Sequence, residues 1–211
     1  MSRRYRVKIC GLTDLEQVQV AVAAGADAIG LVLVPGSRRR VDYATAARLA
    51  QALPPFVTSV ALLVNPREAE VDAVLEQVRP DVLQFHGEES GVFCQRFGWP
   101  YLKAIAMGAG GVDPRRVMDD HPQAQGFLLD SHHQGMMGGS GEVFAWSSIP
   151  ADLGRPWLLA GGLDAQNVGA ALQQTRPYGV DVSSGVESRP GYKDAQRIKA
   201  FIRAVREMES V

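Results

Sequence analysis

The sequence predicts an α/β fold, a single-domain (β/α)₈ barrel (TIM barrel) over residues 1–211. Eight short, nearly all-apolar segments alternate with stretches of amphipathic helical pattern. Strands that are apolar on both faces are typical of a parallel sheet covered by helices. Eight such units match the barrel, although 211 residues is near its lower limit. A doubly wound open sheet is the alternative, but no Gly-rich dinucleotide-binding pattern follows the first segment.

The predicted elements cover the whole chain in alternation. The first strand ends at Gly11, and Asp14 is the expected N-cap of the helix after it. The predicted strands are VKIC (7–10), AIGLVLV (28–34), VTSVALLV (57–64), VLQFH (82–86), YLKAIA (101–106), GFLLD (126–130), WLLAGG (157–162) and GVDVSSG (179–185). The predicted helices are 14–26, 42–53, 66–78, 88–98, 113–121, 164–175 and 193–209, with a weak helical signal at 145–150.

Composition limits the classes of function. Hydrophobic residues make up 46% and charged residues 21%, which is typical of a soluble globular protein. The net charge of −1 predicts no nucleic-acid partner and no membrane partner. No apolar segment reaches the roughly 18 residues of a membrane span, and the N-terminus lacks a signal peptide.

The cysteines and histidines indicate a reduced protein without a metal. Cys10 and Cys94 form no metal or redox spacing, so we expect a cytoplasmic location. The adjacent His132 and His133 point in different directions and make a poor pair of ligands, so no metal site is predicted. Composition leaves the oligomeric state open, and a monomer is favoured.

Chemically useful side chains follow several predicted strands, where a barrel builds its active site. A strand end that only needs to turn would use Gly, Pro, Asn or Ser. Here Cys10, the loop "PGSRRRVD", Gln84, His86 and Asp130 appear in addition. Cys10 by itself is either a buried small hydrophobe or a reactive thiol. Lys103 and Asn65 are predicted to be solvated in loops.

The last strand ends predict a phosphate site. Small residues let backbone N–H groups approach an anion, and barrels often bind phosphate in the loops after strands seven and eight. Tight turns are the alternative interpretation. A third Gly-rich segment, "GMMGGSGEVF", could close over the same ligand. The candidate phosphate-binding residues are Gly141, Gly161, Gly162, Ser183, Ser184 and Gly185.

Blocks of this sequence resemble the phosphoribosylanthranilate isomerase family of tryptophan biosynthesis. The blocks "KICGLT", "LQFHGEE", "FLLDS", "LAGGL" and "GVDVSSGVES" occur in family order, from Lys8 to about Phe201. The resemblance implies a (β/α)₈ barrel and an aldose–ketose isomerase that needs no cofactor. Its expected reaction is an acid–base Amadori rearrangement of N-(5-phosphoribosyl)anthranilate to 1-(2-carboxyphenylamino)-1-deoxyribulose 5-phosphate. The implied partner is therefore a phosphorylated small molecule.

The resemblance also implies residue roles. Cys10 matches the general base, which requires that its thiolate be favoured. Asp130 matches the general acid and must hold a proton, so we expect partial burial or nearby negative charge. Arg39, positioned between Ser37 and Val41, matches the residue that binds the anthranilate carboxylate.

Two further positions match polar residues that line the family's substrate site, and three depart from the family's pattern. The matching residues are Gln84 and Asp181. The departures are Arg38 in place of proline, Ser140 in place of threonine and Ala145 in place of aspartate. Loss of the carboxylate at Ala145 puts any capping or loop-closing role of that position in doubt.

Three alternatives remain open at the level of sequence. The related sugar isomerase of histidine biosynthesis, or a dual-substrate version, carries aspartate at the end of strand one, where this chain has Cys10. A non-catalytic phosphate-ligand-binding barrel would need neither Cys10 nor Asp130. An aldolase-type barrel would form a Schiff base on a lysine such as Lys103 or Lys8.

Overall fold

Eight parallel strands close into a barrel, in which each strand bonds to the next and β8 bonds to β1. The computed structural model describes residues 4–108, 112–131 and 145–210. The strands are β1 (Arg6–Cys10), β2 (Ala28–Val32), β3 (Thr58–Leu63), β4 (Val82–Phe85), β5 (Tyr101–Ala106), β6 (Gly126–Asp130), β7 (Trp157–Leu159) and β8 (Gly179–Val182). The predicted barrel is therefore confirmed, with all eight strands where the apolar segments lie.

Helices connect the strands and cover the barrel. They are α1 (Leu15–Ala24), α2 (Tyr43–Gln51), α3 (Glu68–Gln77), α4 (Gly91–Gln95), α5 (Pro114–Asp120), α6 (Val168–Thr175) and α7 (Ala195–Glu207). Asp14 caps α1 as predicted, since its side chain accepts from the backbone N–H of Gln17 at 2.9 Å. The weak helical signal before β7 corresponds to a 3₁₀ helix at Trp146–Ser148. Among the described residues, no helix combines the length and apolar character needed to cross a membrane.

A small hairpin that the sequence did not predict follows β8. It consists of β9 (Glu187–Arg189) and β10 (Tyr192–Lys193), which pair antiparallel. Its turn residue Gly191 has φ +85, and a Cβ there would lie 2.8 Å from the carbonyl oxygen of Arg38. The hairpin therefore packs against the loop that follows β2 and brings its side chains to the mouth of the barrel.

The side chains of β1 alternate between two environments, as the strand geometry requires. Val7 and Ile9 are fully buried in the main apolar core, which includes the helices. Lys8 and Cys10 occupy the alternate positions and face the interior of the barrel. Cys10 packs there with Val32 and other residues of a second, smaller apolar cluster.

Candidate active site

A pocket at the carboxyl ends of the strands brings together side chains from distant parts of the chain. Cys10 ends β1, Asp130 ends β6, and Asp181 lies within β8. The polar residues that line the pocket are Cys10, Ser37, Arg39, His86, Asp130, Asp181 and Ser183. The thiol, carboxyl and guanidinium groups that the sequence predicts therefore share one cavity.

Cys10 lies beside a buried ion pair. Nζ of Lys8 donates to Oδ1 of Asp181 at 2.9 Å, and both side chains are almost fully buried. Burial raises the pKa of the Cys10 thiol, Lys8 lowers it, Asp181 raises it and Lys193 lowers it. The net direction is upward from the ordinary value of a thiol. In this balance burial outweighs the positive charges of Lys8 and Lys193.

Asp130 is buried, with 8% of its surface exposed, and it faces His86. Oδ2 of Asp130 lies 3.4 Å from Nε2 of His86, the residue after β4. Nδ1 of His86 in turn lies 2.9 Å from Nε2 of Gln84. Gln84 has 0% exposed surface, so it reaches the pocket through His86 and does not line it.

Glu187 holds the guanidinium of Arg39 in place. Nε and Nη2 of Arg39 donate to Oε1 and Oε2 of Glu187 at 2.6 and 2.9 Å. Nζ of Lys193 donates to Oε1 of the same carboxylate at 2.8 Å. Burial opposes ionisation of Glu187, but Arg39 and Lys193 outweigh it and lower its pKa to about 2. In the described part of the chain, no acceptor bonds to Nη1 of Arg39, which remains for a ligand.

Gly11, which follows Cys10, leaves room for the side chain of Arg39. Gly11 has φ +80, and a Cβ there would lie 2.7 Å from Cδ of Arg39. The side chain of Arg39 thus passes directly over the Gly11 backbone, whereas Arg38 and Arg40 are exposed. Only the middle one of the three arginines lines the pocket.

The loops after β7 and β8 are packed closely against each other. Gly161 and Gly162 have φ +86 and +63, and a Cβ at Gly161 would clash with Ser131. A Cβ at Gly185 would clash with the carbonyl oxygen of Leu163. Within residues 4–108, 112–131 and 145–210, no acceptor bonds to the backbone N–H of Gly162, Ser184 or Gly185. These loops combine unpaired N–H groups with the absence of bulky side chains.

The two serines of this segment differ in their surroundings. Ser183 Oγ donates to the carbonyl oxygen of Cys10 at 3.0 Å, which ties the loop after β8 to the end of β1. Ser184 begins a 3₁₀ helix that ends at Val186. The candidate phosphate residue Gly141 lies outside the described residues, as do His132, His133 and Ser140.

One wall of the pocket is apolar. It is formed by Val32 and Val34 at the end of β2 and by Leu62 and Val64 at the end of β3. The sequence carries no signal for this role, because apolar residues at strand ends cannot be distinguished from core residues. Their position opposite the charged groups gives the pocket an apolar side and a polar side.

Lys103 is not solvated in a loop, and that prediction is wrong. It is 3% exposed, and its Nζ donates to Oε2 of Glu89 at 3.1 Å and to the carbonyl oxygen of Gly87 at 2.6 Å. It does not line the pocket, so the structure offers no support for a Schiff base on this lysine. Asn65 is exposed, as expected.

Three charged residues of the site were not predicted to contribute to it. They are Lys8, Glu187 and Lys193. Lys8 carried a usable signal, because it lies two residues before Cys10 on an otherwise apolar strand and so shares its face. Glu187 and Lys193 carried none, since only the unpredicted hairpin brings them to Arg39. Within the described residues, no group of three or more His, Cys, Asp or Glu side chains could hold a metal ion.

Comparison with known proteins identifies the family. The family model described as N-(5'-phosphoribosyl)anthranilate (PRA) isomerase matches residues 7–204. The chain belongs to the N-(5'-phosphoribosyl)anthranilate isomerase family. The family resemblance of the sequence blocks is therefore confirmed.

Individual relatives of the N-(5'-phosphoribosyl)anthranilate isomerase family are similar along their full length. The enzyme of this name from Pseudomonas aeruginosa (strain UCBPP-PA14) is 51% identical over 201 residues, which cover 95% of each chain. A crystal structure of phosphoribosyl anthranilate isomerase from Thermus thermophilus has a TM-score of 0.84 at 38% identity, covering 96% of this chain and 98% of that one. Another, in complex with reduced 1-(o-carboxyphenylamino)-1-deoxyribulose 5-phosphate, has a TM-score of 0.83 at 36% identity, covering 96% and 99%.

Proposed function

We propose that this chain isomerises N-(5'-phosphoribosyl)anthranilate to 1-(2-carboxyphenylamino)-1-deoxyribulose 5-phosphate in tryptophan biosynthesis. The observation that carries the proposal is a single pocket lined by a thiol, a carboxyl group and a guanidinium, Cys10, Asp130 and Arg39. These are a candidate base, a candidate acid and a carboxylate receptor. Family membership supports the same reaction.

The anthranilate end of the substrate fits between Arg39 and the apolar wall. The aromatic ring buries against Val32, Val34, Leu62 and Val64, which removes apolar surface from water. The ring carboxylate pairs with the guanidinium of Arg39, and the bidentate contact with Glu187 limits the rotation of that group. Asp181 presents its carboxylate to the polar side of the pocket, and Gln84 acts through His86.

The phosphate end fits the loops after β7 and β8. The unpaired N–H groups of Gly162, Ser184 and Gly185 can donate to phosphate oxygens, because no large side chain intervenes. Gly161 lets the loop approach Ser131 closely, and Ser183 fixes the loop to β1. Gly141, which lies outside the described residues, is proposed from the sequence as a further phosphate contact.

The acid step begins at Asp130. The protonated carboxyl donates its proton to the furanose ring oxygen, the bond from that oxygen to C1′ breaks, and the amine nitrogen supplies the electron pair that forms the Schiff base. The product of this step is an open-chain protonated imine, and Asp130 is left as carboxylate. Burial next to His86 supports this role.

The base step is assigned to Cys10. Its thiolate removes the proton at C2′, and the electrons of that C–H bond form the enolamine while neutralising the imine nitrogen. Tautomerisation of the enolamine then gives the ketose. Cys10 and Asp130 come from β1 and β6, so they approach the substrate from different sides of the barrel mouth.

We further propose that the functional unit is one domain of residues 1–211 acting as a monomer in the cytoplasm. Cys10 and Cys94 are both free thiols, which suits a reducing compartment. No cofactor is required, because each step transfers only protons.

Turnover of the named substrate tests this proposal. N-(5'-phosphoribosyl)anthranilate is mixed with purified, folded protein, and its fluorescence decay is followed with product detection by mass spectrometry. We expect protein-dependent decay with formation of the ketose of identical mass and distinct chromatographic position. Decay at the protein-free rate would refute the proposal.

A further inference from the structure

We propose that Lys8 is a positioning residue whose ammonium group sets the ionisation of Cys10 from beneath the pocket. The inference rests on the proposed role of Cys10 as base and adds the charge that makes this thiol usable. Lys8 does not line the pocket, so it acts through Cys10 and not on the substrate.

Nζ of Lys8 and Sγ of Cys10 both lie close to the position that a side chain on Gly30 would occupy. Gly30 faces Cys10 across the pairing of β1 with β2. A Cβ on Gly30 would lie 2.7 Å from Sγ of Cys10 and 3.1 Å from Nζ of Lys8. The missing side chain of Gly30 thus leaves a notch that both atoms border. An ammonium group this close to a sulfur stabilises its thiolate form.

Lys8 is held charged in this position. It is 1% exposed, and burial disfavours the ammonium form unless a negative group such as Asp181 or the thiolate of Cys10 lies beside it. Asp181, its register partner on β8, accepts its hydrogen bond at 2.9 Å. Burial lowers the pKa of Lys8, but Asp181 and Cys10 outweigh it, and the net direction is upward.

The charges around Cys10 are balanced only when the thiol ionises. Arg39 and Lys193 share Glu187, which leaves one positive charge among these three residues. Lys8 and Asp181 cancel each other. A thiolate at Cys10 therefore offsets the one positive charge that remains among Arg39, Lys193 and Glu187. The charged and titratable groups that face Cys10 are Lys8, Arg39, His86, Asp130, Asp181, Glu187 and Lys193.

In the part of the chain that the structure describes, the side chain of Lys8 has fewer oxygen acceptors than that of Arg39 or Lys193. Arg39 donates two hydrogen bonds to Glu187, and Lys193 donates to Glu187 and to both oxygens of Ser183. Among the described residues, Lys8 has one oxygen acceptor, Asp181, and keeps two further N–H groups. Of the three cations, it also has the largest lowering effect on the pKa of Cys10.

The test measures the pKa of Cys10 by alkylation. The rate of iodoacetamide modification is followed against pH in a Cys94→Ala background, so that one thiol reacts and the reagent carries no charge. In this background, Lys8→Met should raise the pKa of Cys10 by about 1–3 units, and Asp181→Asn should lower it. If Lys8 only stabilised the fold, Lys8→Met could change the limiting alkylation rate at high pH. The pKa of Cys10 would then not rise in Lys8→Met and fall in Asp181→Asn.

A double variant keeps the test decisive if Lys8→Met does not fold. Lys8→Met/Asp181→Asn removes the pair as a unit and leaves no buried carboxylate without a partner. The pKa of Cys10 in the double variant must lie above that in Asp181→Asn alone, because the two proteins differ only in the charge of Lys8. An equal or lower value would overturn the proposal.

The matched control is the other buried lysine–carboxylate pair of the barrel. Lys103 and Glu89 are as buried as Lys8 and Asp181, but Lys103 lies on β5, across the barrel from β1. Lys103→Met/Glu89→Gln should leave the pKa of Cys10 unchanged, and an equal shift in this control would overturn the proposal. Because alkylation reads the thiol directly, the outcome is independent of whether the chain turns over the proposed substrate.

Discussion

The guanidinium of Arg39 and the carboxylate of Glu187 form a two-point ion pair, with Nε–Oε1 and Nη2–Oε2 distances of 2.6 and 2.9 Å. This pair joins the loop after β2 to the hairpin after β8, which are 148 residues apart in sequence. It orients one arginine of three toward the pocket. The specificity proposed for the anthranilate carboxylate depends on this orientation.

Arg39 is predicted to be the one arginine of its loop that matters for catalysis. A charge-assisted hydrogen bond contributes about 1.5–3 kcal/mol, so Arg39→Ala and Arg39→Lys should lower kcat/KM by about tenfold or more. The exposed Arg38 and Arg40 are the matched controls, and their alanine variants should stay within about twofold of the parent. A larger loss at Arg38 or Arg40 would show that a neighbouring guanidinium binds the carboxylate.

Replacement of Cys10 should remove the base without removing the fold. Cys10→Ala should lower kcat by about 10²–10⁴, the usual effect of one acid–base group. Because the pKa of Cys10 is raised, kcat/KM of the parent should increase with pH above neutrality as the thiolate forms. Cys94→Ala, in α4, should keep near-normal activity, and equal losses in the two variants would contradict the assignment.

Asp130→Asn should reduce kcat by a similar factor of about 10²–10⁴, because an amide cannot donate the proton that opens the ring. Substrate binding should change less, since the variant keeps the size and the polar contacts of the side chain. Steady-state kinetics separates kcat from KM. Retention of near-parental kcat would exclude Asp130 as the acid.

Ionisation of Glu187 should make the free energy of unfolding depend on pH in the acidic range. Its pKa is lowered from 4.5 to about 2, so its ion pairs stabilise the fold above pH 4.5 and lose this effect as the pH falls through 2. Urea unfolding of Glu187→Gln should show lower stability than the parent at pH 7 and a smaller loss between pH 5 and 2. Glu76→Gln, which removes an exposed carboxylate of α3, should follow the parent across that range. Parallel curves for the parent and Glu187→Gln would contradict the prediction.

Much of the fold could be predicted from the sequence because the barrel strands are apolar on both faces and regularly spaced. The eight segments matched eight strands, and Asp14 capped α1 as its position indicated. The hairpin of β9 and β10 could not be predicted. Its strands span three and two residues and are too short to show alternation, so Glu187 and Lys193 escaped notice.

The sequence predicts which residues form the site better than it predicts their charges and pKa values. Cys10, Arg39, Asp130 and Asp181 line one pocket, as strand-end reasoning and family resemblance implied. The raised pKa of Cys10 follows from burial, which depends on packing in three dimensions. Lys103 illustrates the same point, since its partner Glu89 lies in the loop after a neighbouring strand.

The fate of the hydrogen at C2′ tests the central claim, that a base of this chain removes a proton there. Substrate deuterated at C2′ is converted by the enzyme in ordinary water, and the product is analysed by mass spectrometry and NMR. The account predicts enzyme-dependent turnover in which the deuterium is lost to solvent and C1′ carries hydrogen from water. Complete transfer of the deuterium to C1′, with none lost to water, would contradict it, because a proton removed by Cys10 exchanges at least in part with solvent whereas a direct hydride shift retains the label.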